Sequence, residues 1–444
     1  MSKEIYLVIG GSGFLGRHIV DQLLARNDSV AIFDIVQRYH DVPFYSGDIS
    51  EEAQVSQAIQ RSGATCIFHV ASPPHGIEDP ALYWKVNVDG TRAVINAAIS
   101  NSVRKLVFTS SAGVVFNGED LVNADERLPP PEKPMDAYNE SKAKGEELVL
   151  GSNGKGGLLT VALRPSGIFG PGDRQVMHGL YQVYERNQTH FQIGNNNNLF
   201  DWTYVGNVAY AHLLAADKLV PVPSPPPIPS SIIDYPLPPI SHTTGKHRIP
   251  TSEARPLGPY VEKPVDGEEL ERRFQSDGDD YYTEKSHPRP VIRSKFDPLS
   301  DVAIARGRIR LEGEPEPITD SLCVAGQAFF ITNGEPIYFW DLPRAVWSSL
   351  AASDPAKANA KPRRRITFSR DIGLALAYGA EWWGWLVGKE PAFTRFRVMF
   401  SCVNRWYNVE KARRVLGYEP QVGLEEGVKR MVEWWKKEHM GVKS

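Results

Sequence analysis

The sequence has few cysteines, little net charge and no uninterrupted apolar run of full membrane-spanning length. Cys66, Cys323 and Cys402 lie far apart in 444 residues, and no Cys-x-x-Cys pair occurs. That spacing argues against a disulfide framework or a structural zinc site, and no metal ligand set is expected; a reducing compartment is. A formal charge of −3 gives no basic field for nucleic acid. The first residues lack the basic stretch and cleavage pattern of a secretion signal. Their apolar run, Ile5 to Ile9, leads directly into a glycine turn, as a buried strand does, so a cytosolic or cytosol-facing protein is expected.

What is present is regular. The first 150 residues alternate short apolar runs with helical patterns, the mark of a parallel sheet covered by helices. The strands are expected at Ile5–Ile9, Ser29–Asp34, Cys66–Val70, Leu106–Ser110 and Leu158–Leu163, and helices at Arg17–Arg26, Glu52–Arg61, Gly90–Ser100 and Ala137–Leu150. Beyond Arg164 the pattern loosens into a smaller lobe, with a strand at Leu199–Val205 and a helix at Val208–Leu219. A short helix at Val409–Leu416 and an amphipathic one at Leu424–Lys437, turning Val428, Met431, Val432 and Trp435 inward, close the chain. The expected organisation is a dinucleotide-binding core over 1–170 and returning elements over 171–220. An insertion over 221–320 and a substrate lobe over 321–444 follow.

The insertion opens with nine prolines in twenty residues and is otherwise polar, charged and aperiodic. Such a run buries too little apolar surface to offset chain entropy, so a disordered or surface segment is expected. A second unusual stretch, Ile372–Gly388, is apolar with three tryptophans, and Glu381 is its only charge; Lys389, Phe393, Arg395, Phe396, Arg397, Met399 and Phe400 follow. It is short for a spanning helix. Tryptophan with basic flanks suits a segment lying in a membrane interface, the reading preferred over a buried substrate-lining helix or a true span.

Gly11-Ser12-Gly13-Phe14-Leu15-Gly16 satisfies G-x-G-x-x-G, and Gly10, Gly13 and Gly16 satisfy the related G-x-x-G-x-x-G, where the first strand hands over to a helix. These glycines permit a tight turn and let a pyrophosphate meet free helix amides. Asp34, at the end of the second strand, suits the ribose hydroxyls of NAD and disfavours the 2′-phosphate of NADP, although Arg38 is near. NAD is therefore the expected cofactor. Tyr138 and Lys142 stand four apart on one helix face, and a neighbouring ammonium is expected to lower the tyrosine's pKa from about 10 towards useful base chemistry. Ser111, just past the fourth strand, would hold the substrate oxygen. The combination reads as a nicotinamide-dependent oxidoreductase.

On these residues the chain resembles the extended short-chain dehydrogenase/reductases, and more narrowly their 3β-hydroxysteroid dehydrogenase branch. The resemblance runs through Ile9–Gly16, Phe68–Ser72, Asn87–Thr91, Val107–Val115, Tyr138–Lys142, Leu163–Pro165, Ile168–Gly172, Asp201–Val208 and Lys411–Pro420. Phe200–Val208 and Gly326–Leu342 further resemble the decarboxylating members that act on 4α-carboxysterols. The resemblance implies a Rossmann-type doubly wound sheet with a smaller substrate lobe. It also implies NAD-dependent oxidation of a sterol 3β-hydroxyl with loss of the C4 carboxylate as CO2. It assigns Ser111, Tyr138 and Lys142 to catalysis, with Ser110 as the fallback serine, and gives Lys142 the nicotinamide ribose. Asp48, with Ile49 beside it, would meet the adenine; Val70 and Ala71 would line the cofactor; Asn87 would support the active-site backbone; Pro165 and Ile168 would pack near the nicotinamide. Phe200–Trp202, Phe329–Ile331 and Ile372–Phe400 are candidate sterol contacts.

The same resemblance implies the endoplasmic reticulum and other enzymes of sterol C4 demethylation as partners; peripheral attachment at the cytosolic face of that membrane and a homodimer are also expected. The family's opening threonine in the glycine motif is Ile9 here, a tolerated loss of one local hydrogen bond. The alternatives are a 3β-hydroxysteroid dehydrogenase/isomerase, a nucleotide-sugar epimerase or dehydratase, and a scaffold that kept the cofactor fold.

Overall fold

The computed structural model describes residues 4–126, 128–220, 324–352, 354, 364–388, 394–409 and 411–439. The expected insertion at 221–320 lies outside the described residues, as do Lys389 and Phe393. The strands are β1 (Ile5–Ile9), β2 (Ser29–Asp34), β3 (Phe44–Ser46), β4 (Cys66–His69), β5 (Lys105–Thr109), β6 (Leu121–Ala124), β7 (Leu159–Pro165) and β8 (Ile168–Phe169), then β9 (Phe191–Ile193), β10 (Leu199–Phe200), β11 (Thr203–Tyr204), β12 (Gln327–Ile331), β13 (Ile337–Tyr338), β14 (Ile366–Phe368) and β15 (Arg405–Tyr407). The helices are α1 (Phe14–Ala25), α2 (Glu52–Ser62), α3 (Pro80–Trp84), α4 (Thr91–Ser100), α5 (Ala137–Leu150), α6 (Val176–Glu185), α7 (Val205–Lys218), α8 (Asp341–Ala351), α9 (Arg370–Val387), α10 (Arg395–Cys402) and α11 (Leu424–His439).

Seven strands form a parallel sheet in the order β12-β7-β5-β4-β1-β2-β3. Chain order reverses at β1, which has β2 on one side and β4 on the other; in a doubly wound sheet a ligand binds in the crevice beyond such a reversal. Side chains of β1 alternate between two cores. Tyr6 and Val8 pack with Ile19 and Leu23 of α1 and Val208 of α7, while Leu7 and Ile9 pack with Val55 of α2 and Val94 of α4. Because both faces are covered, the strands read as continuous apolar runs. The C-terminal lobe is built around the smaller sheet β13-β10-β15-β6, with α8 beside β13 and α11 packed on α8 and on the β8–β11 pair.

Two expectations need correction. The single strand expected over Leu199–Val205 is two short ones, and Val205 already begins α7. The break falls at Asp201-Trp202, where the buried Asp201 carboxylate accepts the Tyr407 N–H at 2.8 Å. That bond ties the chain to β15 and lets β10 and β11 join different sheets. Residues Gln327–Ile331, expected in the substrate lobe, are instead the seventh strand of the main sheet, paired with β7. Their side chains are short of periodic contrast because the strand is buried on both faces. The closing helix does turn Val428, Met431, Val432 and Trp435 inward.

Candidate active site

The turn after β1 is glycine-bound for steric reasons. Gly10 has φ +88°, and a β-carbon there would lie 2.7 Å from the Ala71 nitrogen; one at Gly16 would collide with the Gly10 carbonyl. The closeness brings the amino end of α1 to the crevice, where its free amides suit a pyrophosphate. Asp34 stands at the mouth of the same turn. Its Oδ2 accepts the Ser12 N–H at 3.0 Å and its Oδ1 the Ile35 N–H at 2.8 Å, so the carboxylate is held in one orientation. The buried Ser12 hydroxyl has no hydrogen-bond partner among the described residues. A cradle that closes on any side chain, with an oriented carboxylate and a spare buried hydroxyl beside it, fits a dinucleotide. Asp48 accepts from Lys85 Nζ at 2.9 Å and from Ser50, and these bonds hold its carboxyl below the usual range.

One cavity of about 1940 Å³ joins these groups to the catalytic candidates. That is roughly twice the upper end of a single small-ligand site, about 300–1,000 Å³, so it has room for a cofactor and a substrate together. Gly10, Ser12, Gly13, Phe14, Leu15, Gly16, Asp34, Asp48, Ile49, Val70, Ala71, Ser110, Ser111, Tyr138, Lys142, Pro165 and Ile168 all line it. Gly11 and Asn87 do not. Gly11 packs against Ile32, and Asn87 is buried behind α5, where its Nδ2 donates to Ser141 Oγ at 2.9 Å. Asn87 thus touches the helix that carries Tyr138 and Lys142, and not the cofactor cleft. A β-carbon at Gly145 would lie 2.5 Å from the Asn87 carbonyl oxygen, which shows how closely α5 sits on that turn.

Helix α5 is started by Asp136, whose side chain accepts the Asn139 N–H at 2.7 Å. Tyr138, in its first turn, is hydrogen-bonded to Ser111. Ser111 in turn accepts the Gly113 N–H at 3.0 Å, which fixes its oxygen. One turn on, Lys142 donates to the Thr109 carbonyl at the end of β5 and lies 4.6 Å over the Phe108 ring. The expected lowering of the Tyr138 pKa by Lys142 is not what the site contains. Burial pushes the phenol up to about 12, and the hydrogen bond from Ser111 is the influence that opposes it. Burial also pushes the Lys142 ammonium down to about 7, with Glu146 opposing. Spacing on a helix put the two side chains on one face. It did not show that the ammonium is aimed at a backbone carbonyl or that both groups are dehydrated.

Several groups escaped the sequence reading. His75 packs edge-on against Tyr138, with ring centres 4.9 Å apart, and lies 3.1 Å from the Asp136 carboxylate. Tyr83 meets Tyr138 at 5.5 Å and is anchored by the Pro74 carbonyl. The Ser72-Pro73-Pro74-His75 run following Val70-Ala71 was the available signal. Arg405 was also missed. Its guanidinium is buried, lines the cavity, and lies over Phe116, Phe400 and Phe200 at 4.1, 4.7 and 5.5 Å. Among the described residues it has no carboxylate partner and its Nε has no hydrogen-bond partner. It is hydrogen-bonded to Tyr407, whose hydroxyl donates to the carbonyl of Ala112, next to Ser111. The far end of the cavity is aromatic, with Trp202, Phe339, Trp340 and Phe400. Phe200 and Phe329–Ile331, expected as sterol contacts, are instead core residues that do not reach the cavity wall.

A test of Asp34 is direct. Asp34→Ala should lower the NAD-over-NADP ratio of kcat/KM by about tenfold to 100-fold, the size of one or two charged hydrogen bonds. An unchanged ratio in steady-state assays with both dinucleotides sinks the assignment.

Residues 7–228 match the 3-beta hydroxysteroid dehydrogenase/isomerase family. The chain is 37% identical to the sterol-4-alpha-carboxylate 3-dehydrogenase, decarboxylating, of Saccharomyces cerevisiae, over 98% of this chain and 99% of that one. It is 30% identical to the mouse enzyme of the same name, over 96% and 89% of the two chains. Among solved structures, UDP-glucose 4-epimerase from Thermotoga maritima superposes with a TM-score of 0.57 at 17% identity, covering 97% of this chain and 98% of that one. The Thermus thermophilus UDP-glucose 4-epimerase complex with NAD gives 0.55 at 20% identity, covering 98% and 99%. These two likenesses establish the fold alone.

Proposed function

Because the chain belongs to the 3-beta hydroxysteroid dehydrogenase/isomerase family, we propose that it oxidises the 3β-hydroxyl of a 4α-carboxysterol with NAD and releases the C4 carboxylate as CO2. NAD, when bound, supplies the acceptor for the electron pair that leaves C3. Tyr138 takes the hydroxyl proton, and Ser111 holds both that oxygen and the tyrosine's. Burial opposes the phenolate, and the hydrogen bond from Ser111 works in its favour. Burial brings the Lys142 ammonium down to about 7, with Glu146 one turn away opposing, so a proton can be gained or lost at the floor of the site. Oxidation leaves a ketone β to the carboxylate. The C4–CO2 bond then breaks with its electron pair passing into the ketone as an enolate, whose oxygen Ser111 and Tyr138 are placed to hold.

The observation that carries the carboxysterol reading is Arg405. A buried guanidinium, clasped by phenyl rings and without an acidic partner among the described residues, opens into the same cavity as Tyr138 and Ser111. A substrate carboxylate supplies the missing charge. The aromatic far end suits a sterol nucleus better than a sugar nucleotide. Arg405→Met should reduce kcat/KM for a 4α-carboxysterol by about 100-fold, within the about 2–5 kcal/mol for losing one partner of a buried charge pair. Oxidation of a 3β-hydroxysteroid without the carboxylate should hold. Equal losses on both substrates would favour the 3β-hydroxysteroid dehydrogenase/isomerase reading instead. The primary test follows NADH and CO2 together with 4α-carboxysterols, steroids and UDP-sugars; turnover of the sugars alone would end the proposal. We further place the protein at the cytosolic face of the endoplasmic reticulum membrane, attached peripherally, as a homodimer, with other enzymes of sterol C4 demethylation.

A further inference from the structure

Arg405 and Tyr407 open and close β15, and Asp201 fixes the backbone of both. The Asp201 N–H donates to the Arg405 carbonyl at 3.0 Å, and its Oδ2 accepts the Tyr407 N–H at 2.8 Å. The two side chains are hydrogen-bonded to each other, and a guanidinium carries donors alone, so Arg405 is the donor. The Tyr407 hydroxyl therefore keeps its one proton to give elsewhere, and gives it to the Ala112 carbonyl at 3.2 Å. Burial pushes the Tyr407 phenol up, so that proton stays on it. The ring lies on Phe330, with centres 4.6 Å apart and planes 22° from parallel, a contact that does not need the hydroxyl.

The peptide that Tyr407 grips leads to the catalytic serine. The Ala112 carbonyl and the Gly113 N–H belong to one peptide group, and that N–H donates to Ser111 Oγ at 3.0 Å. A β-carbon at Gly113 would collide with the Asn139 side chain, so α5 presses on the same peptide from its other side. Ser111 accepts from Gly113 and is hydrogen-bonded to Tyr138 in the sense that favours the phenolate, so its own proton goes to the phenol oxygen. From Tyr407 to Tyr138 every donor thus faces one way: hydroxyl to carbonyl, N–H to serine, serine to phenol. A carbonyl cannot donate and an amide N–H cannot accept, so the direction is fixed. In a dehydrated site such bonds also polarise one another, each strengthening the next donor.

We propose that Tyr407 is a positioning residue for the oxidation: its hydroxyl holds the Ala112–Gly113 peptide, and through it Ser111, where Ser111 donates to Tyr138. This rests on the reading of Tyr138 as the base. Tyr407→Phe removes one hydroxyl, opens the chain and leaves the ring on Phe330. His75, Tyr83 and Asp136, the titratable groups that face Tyr138, stay as they are, as does Lys142 one turn along. Asp201 and Arg164, which face Tyr407 together with Arg405, are also unaltered. A weaker bond to the phenolate raises the pH at which the phenolate forms. With saturating NAD and a 4α-carboxysterol or a 3β-hydroxysteroid, the rising side of the kcat–pH profile should therefore move to higher pH by about 0.3 to 0.5 unit, a part of what one hydrogen bond is worth. At neutral pH that is a loss of about two- to threefold, and it returns as the pH is raised. A purely structural role would lower the profile without moving it. In the Ser111→Ala background Tyr407→Phe should move the profile no further, because the chain runs through Ser111. A profile that keeps its position in Tyr407→Phe overturns the proposal, and so does one that moves as far without Ser111 as with it. Carbon-13 NMR of tyrosine Cζ in the NAD-loaded protein reads the same chain without a substrate. The Tyr138 signal, identified by its loss in Tyr138→Phe, should shift in Tyr407→Phe but not when Ser111→Ala is already present. An unshifted signal overturns the chain, whereas a shifted signal in a protein that oxidises neither alcohol refutes the sterol reading alone.

Discussion

Tyr138→Phe should reduce NADH production from a 4α-carboxysterol by about 10³-fold or more, within the about 10²–10⁴-fold contributed by a positioned acid–base group. NAD binding, followed by fluorescence or calorimetry, should remain. The substitution removes one oxygen from a buried ring that is held by His75 and Tyr83 on its edges, so the ring keeps its place. It also removes the group through which Ser111 acts. Ser111→Ala should therefore cost less in the Tyr138→Phe background than alone, because only its direct hold on the substrate oxygen is left to lose. Full turnover by Tyr138→Phe refutes the assigned base outright.

The second large effect is on stability. Arg164 and Glu146 form a bidentate pair at 2.9 and 2.5 Å, with side chains 6% and 5% exposed. Arg164 also lies 5.3 Å over Phe330, and nearby Glu126 accepts the Phe330 N–H while Lys411 donates to the Ala328 carbonyl. Three buried charged groups, Arg164, Glu146 and Lys411, and the half-buried Glu126 thus lie between α5 and the β7–β12 side of the main sheet. Arg164→Met leaves Glu146 charged and unpaired, at a cost of about 3–5 kcal/mol, a fall in Tm of about 3–5 °C for a chain of this length. The double variant Arg164→Met with Glu146→Gln should recover most of it, because removing both charges is far less costly than removing one. Thermal melts of the two variants read this directly; an equal fall in both would mean that the pair is not what holds these elements together. Glu146 also favours the charged form of Lys142, so the pair links packing to the catalytic floor.

What could be read from sequence was what depends on neighbours in the chain. The glycine turn, Asp34 at a strand end and the Tyr138–Lys142 spacing each follow from a local period or a steric demand. The break at Asp201-Trp202 did not, since it depends on a hydrogen bond to Tyr407, two hundred residues away. Arg405 looked like one more arginine, and only the three phenyl rings around it, from three parts of the chain, give it meaning. Tyr138 shows the limit most clearly. Spacing put Lys142 on its helix face, but the sign of the Tyr138 pKa shift depends on burial, which spacing does not report.

The pairing of β12 with β7 has a consequence for how the protein is made. At about 5–20 residues per second, synthesis needs on the order of ten seconds to proceed from Pro165 to Ile331. Until then β7 stands as the outer strand of the growing sheet, with its amides and carbonyls unpaired on one side. Such an edge is a template for any extended chain. A chain truncated before Gln327 should carry that edge permanently and aggregate through it, as light scattering of the truncated protein would show.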